Sequence, residues 1–520
     1  MQTLEIALLL IAASLALTLA ANWLKVPAAV MLVLGGMALA FMPGLPRIVL
    51  EPEVALALFL PPLLQASALR TDWGAFRSNL VFIILLAFGA VLFSAACVAV
   101  AARELIPELS WPAAVTLGAI VAPPDAVAAT SVLKRFRLPK RIVAVLEGES
   151  LINDASALIL YRIAVAATIA GAFQFHGLVR SVALPAVVGV CAGLAAGVAA
   201  NWLMLHLKDR FLEIVTSFLA AFFSYFAAEW IDGSGVLAAV ACGGMIGRAQ
   251  IKLAAQTRLE TTSSWELVEF VLASLVFLLV GLQLRGILDR LEQYSWGELL
   301  LLGTGLSAVL IVSRFLWVFA TFYPASAIVA VVRGERFSPP LSYPTIISWA
   351  GMRGVVSLAA ALALPVTFPG RDLIVFLAFC AIFSTLVVQG TTLKLLIAWF
   401  DIRDPDIGVV DPATVAARDM VAAAIAGAAP GPAGVGPVDA FHRERAAAEG
   451  QAVGGQGATT PEQLVARLNA KLATIQAARE DLRERRDEID GETLQTLTQE
   501  LDLEERQIRL ALDSRAEAPV

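Results

Sequence analysis

Residues 148–162 read GESLINDASALILYR, and polar side chains there interrupt the start of a long apolar segment. Ser150 and Asp154 are four residues apart, so in a helix their oxygen atoms lie on one face. Glu149 and Asn153 form a second pair with the same spacing. A charge at the centre of a bilayer costs at least about 2.5–3.5 kcal/mol, so a carboxylate there indicates a functional site. We predict Asp154 as the central residue of that site, and a structural ion-pair network is the alternative, above all for Glu149.

A second segment breaks its own helix. Residues 118–130 read GAIVAPPDAVAAT, and Pro123 and Pro124 lack the backbone N–H groups that a helix needs. Freed carbonyls at that depth are tolerated only where they line a cavity or the protein interior. The carbonyls of Pro123 and Pro124 are therefore candidate ion ligands. Asp125 follows the break, and it either caps the next half-helix or contacts the ion directly.

A third segment, late in the chain, is interrupted by glycine. Residues 348–365 read SWAGMRGVVSLAAALALP, and Gly351 and Gly354 bracket Arg353 in an otherwise apolar stretch. Broken helices in corresponding positions of two halves indicate the substrate site of an inverted-repeat transporter. The sequence therefore predicts two interrupted helices that meet at one site.

Two arginines lie inside apolar segments. Arg353 keeps its proton, so it needs a buried anionic partner. We expect Glu149 as that partner, with Asp154 as the second choice. Arg314, in LIVSRFLWVF, either supplies fixed positive charge near the site or braces a neighbouring helix.

The composition predicts an all-α polytopic membrane protein. Hydrophobic residues make up 58% of the 520 residues and charged residues 16%, with a mean hydropathy of +0.77. A soluble enzyme is excluded, because one water-soluble core does not hold so much apolar surface. At roughly 20 apolar residues per helix, we predict about 13 spans. They are 4–23, 27–44, 50–69, 79–101, 112–133, 141–170, 177–205, 211–230, 234–250, 266–284, 297–322, 342–366 and 373–399.

Loop charges predict the orientation. One set of alternate loops holds about 15 Lys and Arg residues and the other about 6, and the positive-inside rule places the richer set in the cytoplasm. With an odd number of spans, the N-terminus then faces outward and the C-terminal segment lies inside the cell. Glu266 and Glu269 lie at a cytoplasmic span end, as solvated end charges or as part of a cation funnel. The basic residues form no stripe, so no nucleic-acid partner is expected.

The chain divides into three parts. Residues 1–400 form the transmembrane domain, and residues 401–460, rich in Ala, Gly and Pro, are a flexible linker. Residues 461–520 are a cytoplasmic helical tail, in which apolar residues repeat every seven up to Gly491 and restart after it. The pattern favours a pair of amphipathic helices; whether they pack on each other, on a second subunit or on the membrane domain stays open.

These motifs resemble the sodium/proton antiporters of the monovalent cation:proton antiporter superfamily, in the bacterial NhaP-like and eukaryotic exchanger branch. The resemblance rests on GESLINDA, VAPPDAVA, WAGMRGVVSLA, VVQGTTL and the LPPLL that follows Phe59, in the family's order from about residue 5 to 399. Two positions depart from the family pattern. Pro124 stands where a Thr hydroxyl is frequent, and Gln65-Ala66-Ser67 follows LPPLL where many members have a carboxylate.

The resemblance implies a homodimer in the bacterial inner membrane. Each protomer would have a dimerisation domain and a six-helix ion-translocating core, in which two broken helices cross near the bilayer centre. Asp154 would carry the ion, Ser150 and Asn153 would shape its site, and Glu149 and Arg353 would form a bracing ion pair. Asn153 beside Asp154, instead of a second Asp, resembles the electroneutral branch.

The expected function is exchange of Na+ or Li+ for H+. Burial disfavours a charged carboxylate, so a proton and a hard cation compete for the oxygens of Asp154, and either one neutralises the site. Only the neutralised site crosses the low-dielectric barrier. No cofactor is expected beyond the transported ions. Exchange of K+ for H+ is the main alternative and a cation channel a weaker one, because no filter loop or charged pore ring is visible. An intramembrane enzyme is disfavoured because its motifs are missing from the sequence.

Overall fold

The computed structural model describes residues 2–43, 52–125, 139–170, 175–207, 209–333, 340–400, 461–484 and 491–516. Within these ranges the chain is helical and has no strand. The helices are α1 (Gln2–Leu24), α2 (Ala28–Ala40), α3 (Pro52–Arg70), α4 (Trp73–Ser78), α5 (Leu80–Leu105), α6 (Trp111–Val121), α7 (Lys140–Ala170), α8 (Phe175–Leu207), α9 (Arg210–Trp230), α10 (Gly235–Ala249), α11 (Ala255–Leu288), α12 (Trp296–Arg333), α13 (Ser342–Trp349), α14 (Val355–Leu362), α15 (Arg371–Trp399), α16 (Pro461–Glu484) and α17 (Gly491–Ala516).

The apolar helices make this a multi-pass membrane protein. Of the described helices, seven are long and apolar enough to cross a membrane: α5, α7, α8, α9, α11, α12 and α15. Shorter apolar helices lie within α1, α2, α6 and α10. The all-α prediction is confirmed, and the count of 13 spans stays a prediction.

Both predicted interruptions coincide with helix ends. α6 ends at Val121, directly before Ala122, Pro123 and Pro124. The second half of that predicted span lies outside the described residues. In the late segment α13 ends at Trp349 and α14 begins at Val355, and the buried residues 351–354 between them are not helical.

Two long helices contain a π-helical turn. In α5 the π turn covers Leu85–Ala90, and in α15 it covers Thr385–Gln389. Such turns are rare in proteins, and those that occur are often found at functional sites. Carbonyls of the first turn accept side-chain hydrogen bonds, from Trp317 Nε1 to Leu85 O at 2.9 Å and from the Ser156 hydroxyl to Ala87 O at 2.6 Å.

The membrane helices pack in two groups. The first, called here the α3–α11 group, contains α1, α2, α3, α8, α9, α10 and α11. The second, the α7–α14 group, contains α5, α6, α7, α12, α13, α14 and α15. Small residues allow close helix approach, as is usual in membranes. A Cβ atom on Gly36 of α2 would lie 2.3 Å from the carbonyl oxygen of Leu278 in α11.

The tail helices pack on each other and on the membrane domain. Apolar side chains of α16 and α17, among them Ile475, Leu482 and Leu501, form their own core. Asp502 of α17 accepts a hydrogen bond from Arg258 of α11, with Nε 2.7 Å from Oδ2. Arg479, which interrupts the apolar stripe, also donates to Asp502, at 2.7 Å. Two of the three packing arrangements that the sequence left open are therefore present together. The linker predicted at 401–460 lies outside the described residues.

Candidate functional site

Helix α7 presents its two polar pairs to different neighbours. Ser150 and Asp154 line one small cavity, as their spacing predicts. Glu149 and Asn153 point to other helices, and each is almost completely buried, with 1% and 0% exposed. One face of α7 therefore borders an open volume, while the adjacent face holds the helix in place.

The cavity lies between the two helix groups and has a volume of about 50 Å³. That volume exceeds the roughly 10–15 Å³ that one water molecule needs, so a monovalent cation with a water molecule fits. Asp125, Ser150 and Asp154 line the cavity on the α7–α14 side, and Ser67 of α3 lines it on the other side. The rest of the wall is apolar and includes Phe277 of α11.

Ser67 is the lining residue that sequence reasoning missed. The sequence after LPPLL was noted only because it lacks a carboxylate, yet Ser67 lies four residues after Leu63, and both line the cavity. Helical spacing from the apolar motif was therefore the signal that pointed to this hydroxyl. Gln65, between them, turns away from the cavity and donates to the carbonyl of Ser217 at 2.6 Å.

The two interrupted segments meet beside the cavity. The backbone N–H of Asp125 donates to the carbonyl of Met352 at 2.7 Å. A Cβ atom added to Gly354 would lie only 1.5 Å from Oδ2 of Asp125, so the Asp125 carboxylate occupies the space that any other residue at 354 needs. Gly354 immediately precedes α14, whose N-terminus carries partial positive charge. Capping of its own following half-helix was one of two roles left open for Asp125, beside direct ion contact. That half-helix lies outside the described residues, and the described contact is with the start of a different helix.

Asn153 holds the proline break against α7. Its Nδ2 atom donates to the carbonyl of Pro124 at 2.7 Å. The Oδ1 atom of Asn153 is buried and has no hydrogen-bond partner within the described part of the chain. Pro123 is buried at the same break. The carbonyl predicted as an ion ligand is thus engaged by Asn153, and direct ion contact by Pro123 or Pro124 stays a prediction.

The predicted pair between Glu149 and Arg353 is wrong. Both oxygens of Glu149 accept from Arg314, with Nη1–Oε1 at 2.6 Å and Nη2–Oε2 at 2.7 Å. Arg314 and Glu149 are 2% and 1% exposed, so this is a fully buried two-point ion pair. Arg314 also donates to the carbonyl of Ile347, near the C-terminal end of α13. Of the two roles left open for Arg314, bracing is the one that this contact fits.

Arg353 binds backbone carbonyls where a carboxylate was expected. Its Nε atom lies 2.9 Å from the carbonyl oxygen of Val121, and Nη2 lies 3.1 Å from that of Ala122. These carbonyls form the C-terminal end of α6, where the peptide dipoles leave partial negative charge. The interrupted helix itself therefore offers negative partial charge to Arg353. The backbone N–H of Arg353 donates to Oγ1 of Thr385, in the π turn of α15, at 3.1 Å.

The donor set suits a monovalent cation. The described polar atoms of the cavity are carboxylate and hydroxyl oxygens, which hard cations prefer. Among the described residues, no cluster of three or more His, Cys, Asp or Glu side chains is placed to hold a metal ion. Asp154 is buried and shares the cavity with Asp125, and a cation or a proton offsets the cost of a charged carboxylate there.

Two interrupted segments that meet inside a multi-pass membrane domain, beside a buried carboxylate, are typical of a secondary transporter. The chain belongs to the sodium/hydrogen exchanger family, whose transmembrane model matches residues 9–399. The members of this family are transporters of cations and protons and not enzymes.

Individual relatives agree with this assignment. The Na(+)/H(+) antiporter NhaH of Halobacillus dabanensis is 32% identical over 75% of this chain and 96% of its own. A sodium, potassium, lithium and rubidium/H(+) antiporter of Bacillus pumilus is 32% identical over 70% of this chain and 56% of its own. The structure of the sodium proton antiporter MjNhaP1 from Methanocaldococcus jannaschii covers 76% of this chain and 98% of its own, with a TM-score of 0.59 and 16% identity. That last likeness concerns the fold alone.

Proposed function

We propose that this protein exchanges Na+ or Li+ for H+, one for one, by competition of the two ions for Asp154. The observation that carries the proposal is the placement of Asp154: it is 7% exposed and borders a cavity that also contains Ser150 and Asp125. A charged carboxylate in such surroundings is costly unless a cation or a proton neutralises it. Because one cavity serves both ions, binding of one excludes the other.

The position of the cavity supports alternating access. Its walls come from both helix groups, so sliding of one group against the other exposes the cavity first on one side of the membrane and then on the other. Loading removes the negative charge of Asp154, so the loaded site crosses the apolar barrier more easily than the empty one, while Asp125 stays beside the positive N-terminal end of α14. Exchange then needs no further machinery.

The fixed charges around the cavity support an electroneutral cycle. Glu149 is neutralised by Arg314 in a buried pair and does not face the cavity. Arg353 is directed to the C-terminal carbonyls of α6. Asp154 is then the carboxylate of α7 that binds the exchanged ion, and it accepts either one cation or one proton.

We further propose a homodimer in a bacterial cell membrane, serving pH homeostasis, with the N-terminus outside and the tail in the cytoplasm. The proposed orientation rests on the loop charges. A large cleft next to the tail supports the same orientation, because Arg77, Arg248 and Arg258 line it together with Asp502 of α17. The charge count from the sequence assigns all three arginines to the cytoplasmic side. We call this side of the protein the tail face.

Exchange of K+ for H+ is the second candidate. One observation favours it: the 32% identical relative from Bacillus pumilus is named for transport of sodium, potassium, lithium and rubidium. The oxygens around Asp154 do not by themselves select among these cations.

Proteoliposomes that contain the purified protein and a pH-sensitive dye test the proposal. We expect Na+ or Li+ to drive proton movement, K+ to do so less well, and an imposed voltage to leave the rate unchanged. Asp154→Asn removes the negative charge for which the cation and the proton compete. It is expected to abolish exchange while the protein still folds. Asp232→Asn is the matched control, because Asp232 is exposed and Asn tolerates its backbone φ of 57°. Cation-driven proton flux through Asp154→Asn would refute the assignment.

A further inference from the structure

A wide cleft, here called the vestibule, opens on the tail face and has a volume of about 1310 Å³. The ends of α3, α9, α10 and α11 form its walls on the membrane side, and α17 forms the wall on the tail side. Arg70 of α3 and Glu266 of α11 are among the lining residues. The same two helices also contribute to the Asp154 cavity, so the vestibule and the cavity lie one after the other along α3 and α11.

An ion pair lies between these two spaces. Arg70 donates through Nη2 to Oε2 of Glu269, and the two side chains are 30% and 17% exposed. Ser67, which lines the cavity, precedes Arg70 by three residues, and Ala273, which also lines the cavity, follows Glu269 by four residues. Residues at these spacings share a helix face and are about 4.5–6 Å apart along the axis.

The vestibule begins on the other side of the same pair. Arg70 itself lines the vestibule, and Glu266 lies three residues before Glu269, again on the same face. An ion that moves from the vestibule to the cavity between α3 and α11 therefore passes the Arg70–Glu269 pair. In the described part of this path, Glu269 is the carboxylate nearest to the cavity on the α11 side.

We propose that Glu269 is a relay site for the transported monovalent cation, and that Arg70 is its exchangeable counter-ion. The proposal rests on the function proposed above. The arriving cation displaces the guanidinium group from Glu269 and occupies the carboxylate before it moves on to Asp154. After the cation leaves, Arg70 returns and closes the path. The pair is partly exposed, so the two states differ little in energy, and the exchange of partners is rapid.

The relay predicts opposite effects on cation affinity from substitutions of Glu269 and of Arg70. Glu269→Gln removes the carboxylate and leaves the positive charge of Arg70 on the path, so the cation concentration for half-maximal rate rises about threefold or more. Arg70→Gln leaves Glu269 without its competitor, so that concentration falls by a similar factor. The maximal rate changes much less than the half-saturating concentration in both variants. A merely structural bridge predicts losses in the same direction from both substitutions.

The experiment measures cation-driven proton exchange in oriented proteoliposomes, with Na+ applied to the tail face or to the opposite face. We expect the opposite shifts when Na+ is on the tail face and little change when it is on the other. Arg290→Gln is the matched control, because Arg290 pairs with Asp372 at 3.5 Å, and neither residue lines the vestibule or the cavity. It is expected to leave both kinetic constants unchanged.

Shifts of the same sign, or equal shifts from both faces, would overturn the relay. So would an unchanged half-saturating concentration in Glu269→Gln. The failure of the proposed function itself has a different signature: wild-type protein would then show no cation-driven proton movement, or Asp154→Asn would retain it.

Discussion

Glu149 and Asp154 lie five residues apart on α7, and both are buried, yet their surroundings are opposite. Both carboxylate oxygens of Glu149 bind Arg314, whereas Asp154 borders a cavity that it shares with Ser150 and Asp125. Burial alone therefore does not make a carboxylate an ion carrier. A permanent partner turns the first into a brace, and open space beside the second leaves it free to change partners.

The largest expected effect comes from removing the two charges one at a time. Glu149→Gln leaves Arg314 buried without its carboxylate, which costs about 3–5 kcal/mol of stability. Asp154→Asn removes a buried charge that has no such fixed match, so the unfolding temperature stays constant or rises. Thermal unfolding of both purified variants in detergent measures the difference. If Glu149→Gln were as stable as the wild type, the distinction between brace and carrier would fail.

The two glycines of the late segment sharpen the same comparison. A Cβ atom on Gly351 would lie 2.3 Å from Nε of Arg314, while one on Gly354 would collide with the Asp125 carboxylate. We expect Gly351→Ala to disturb the brace and lower stability by about 1–3 kcal/mol.

Gly354→Ala is expected to act on the cavity instead. It displaces Asp125 and weakens cation binding about tenfold, because small displacements of a ligand have large effects. Unfolding temperatures and half-saturating Na+ concentrations of the two variants separate these outcomes. Indistinguishable variants would show that the brace and the cavity are one mechanical unit.

The most local effect is expected from the buried ion pair that joins the tail to α11. Asp502→Asn weakens the contacts with Arg258 and Arg479 and loosens the tail by about 1–3 kcal/mol, while the unfolding of the membrane helices changes little. Limited proteolysis reports tail release as faster cleavage, and Glu500→Gln, on the exposed side of α17, is the control. Unchanged cleavage of Asp502→Asn would mean that the apolar contacts alone hold the tail.

Local spacing explains what could be predicted from the sequence. The shared face of Ser150 and Asp154 follows from one helical turn, and the helix ends near Pro123 and Gly351 follow from backbone chemistry. The partners of the buried arginines do not follow from such rules. Arg314 is 165 residues from Glu149, and a choice between two arginines depends on how α12 and α13 pack.

Arg353 illustrates a second limit. A buried guanidinium was assumed to need a carboxylate, whereas the end of an interrupted helix already offers negative partial charge. The Arg70–Glu269 pair was missed for a similar reason: charges at span ends look solvated until the two helix ends are seen together.

The π turns of α5 and α15 also bear on how related chains should be compared. Each closes its hydrogen bonds over one residue more than an α-helical turn does. Aligning such chains without a gap at Leu85–Ala90 or Thr385–Gln389 shifts every later position by about 100° around the helix axis. Conservation scores around Ala87 and Thr385 would then mix lipid-facing positions with the anchors of Ser156 and Arg353.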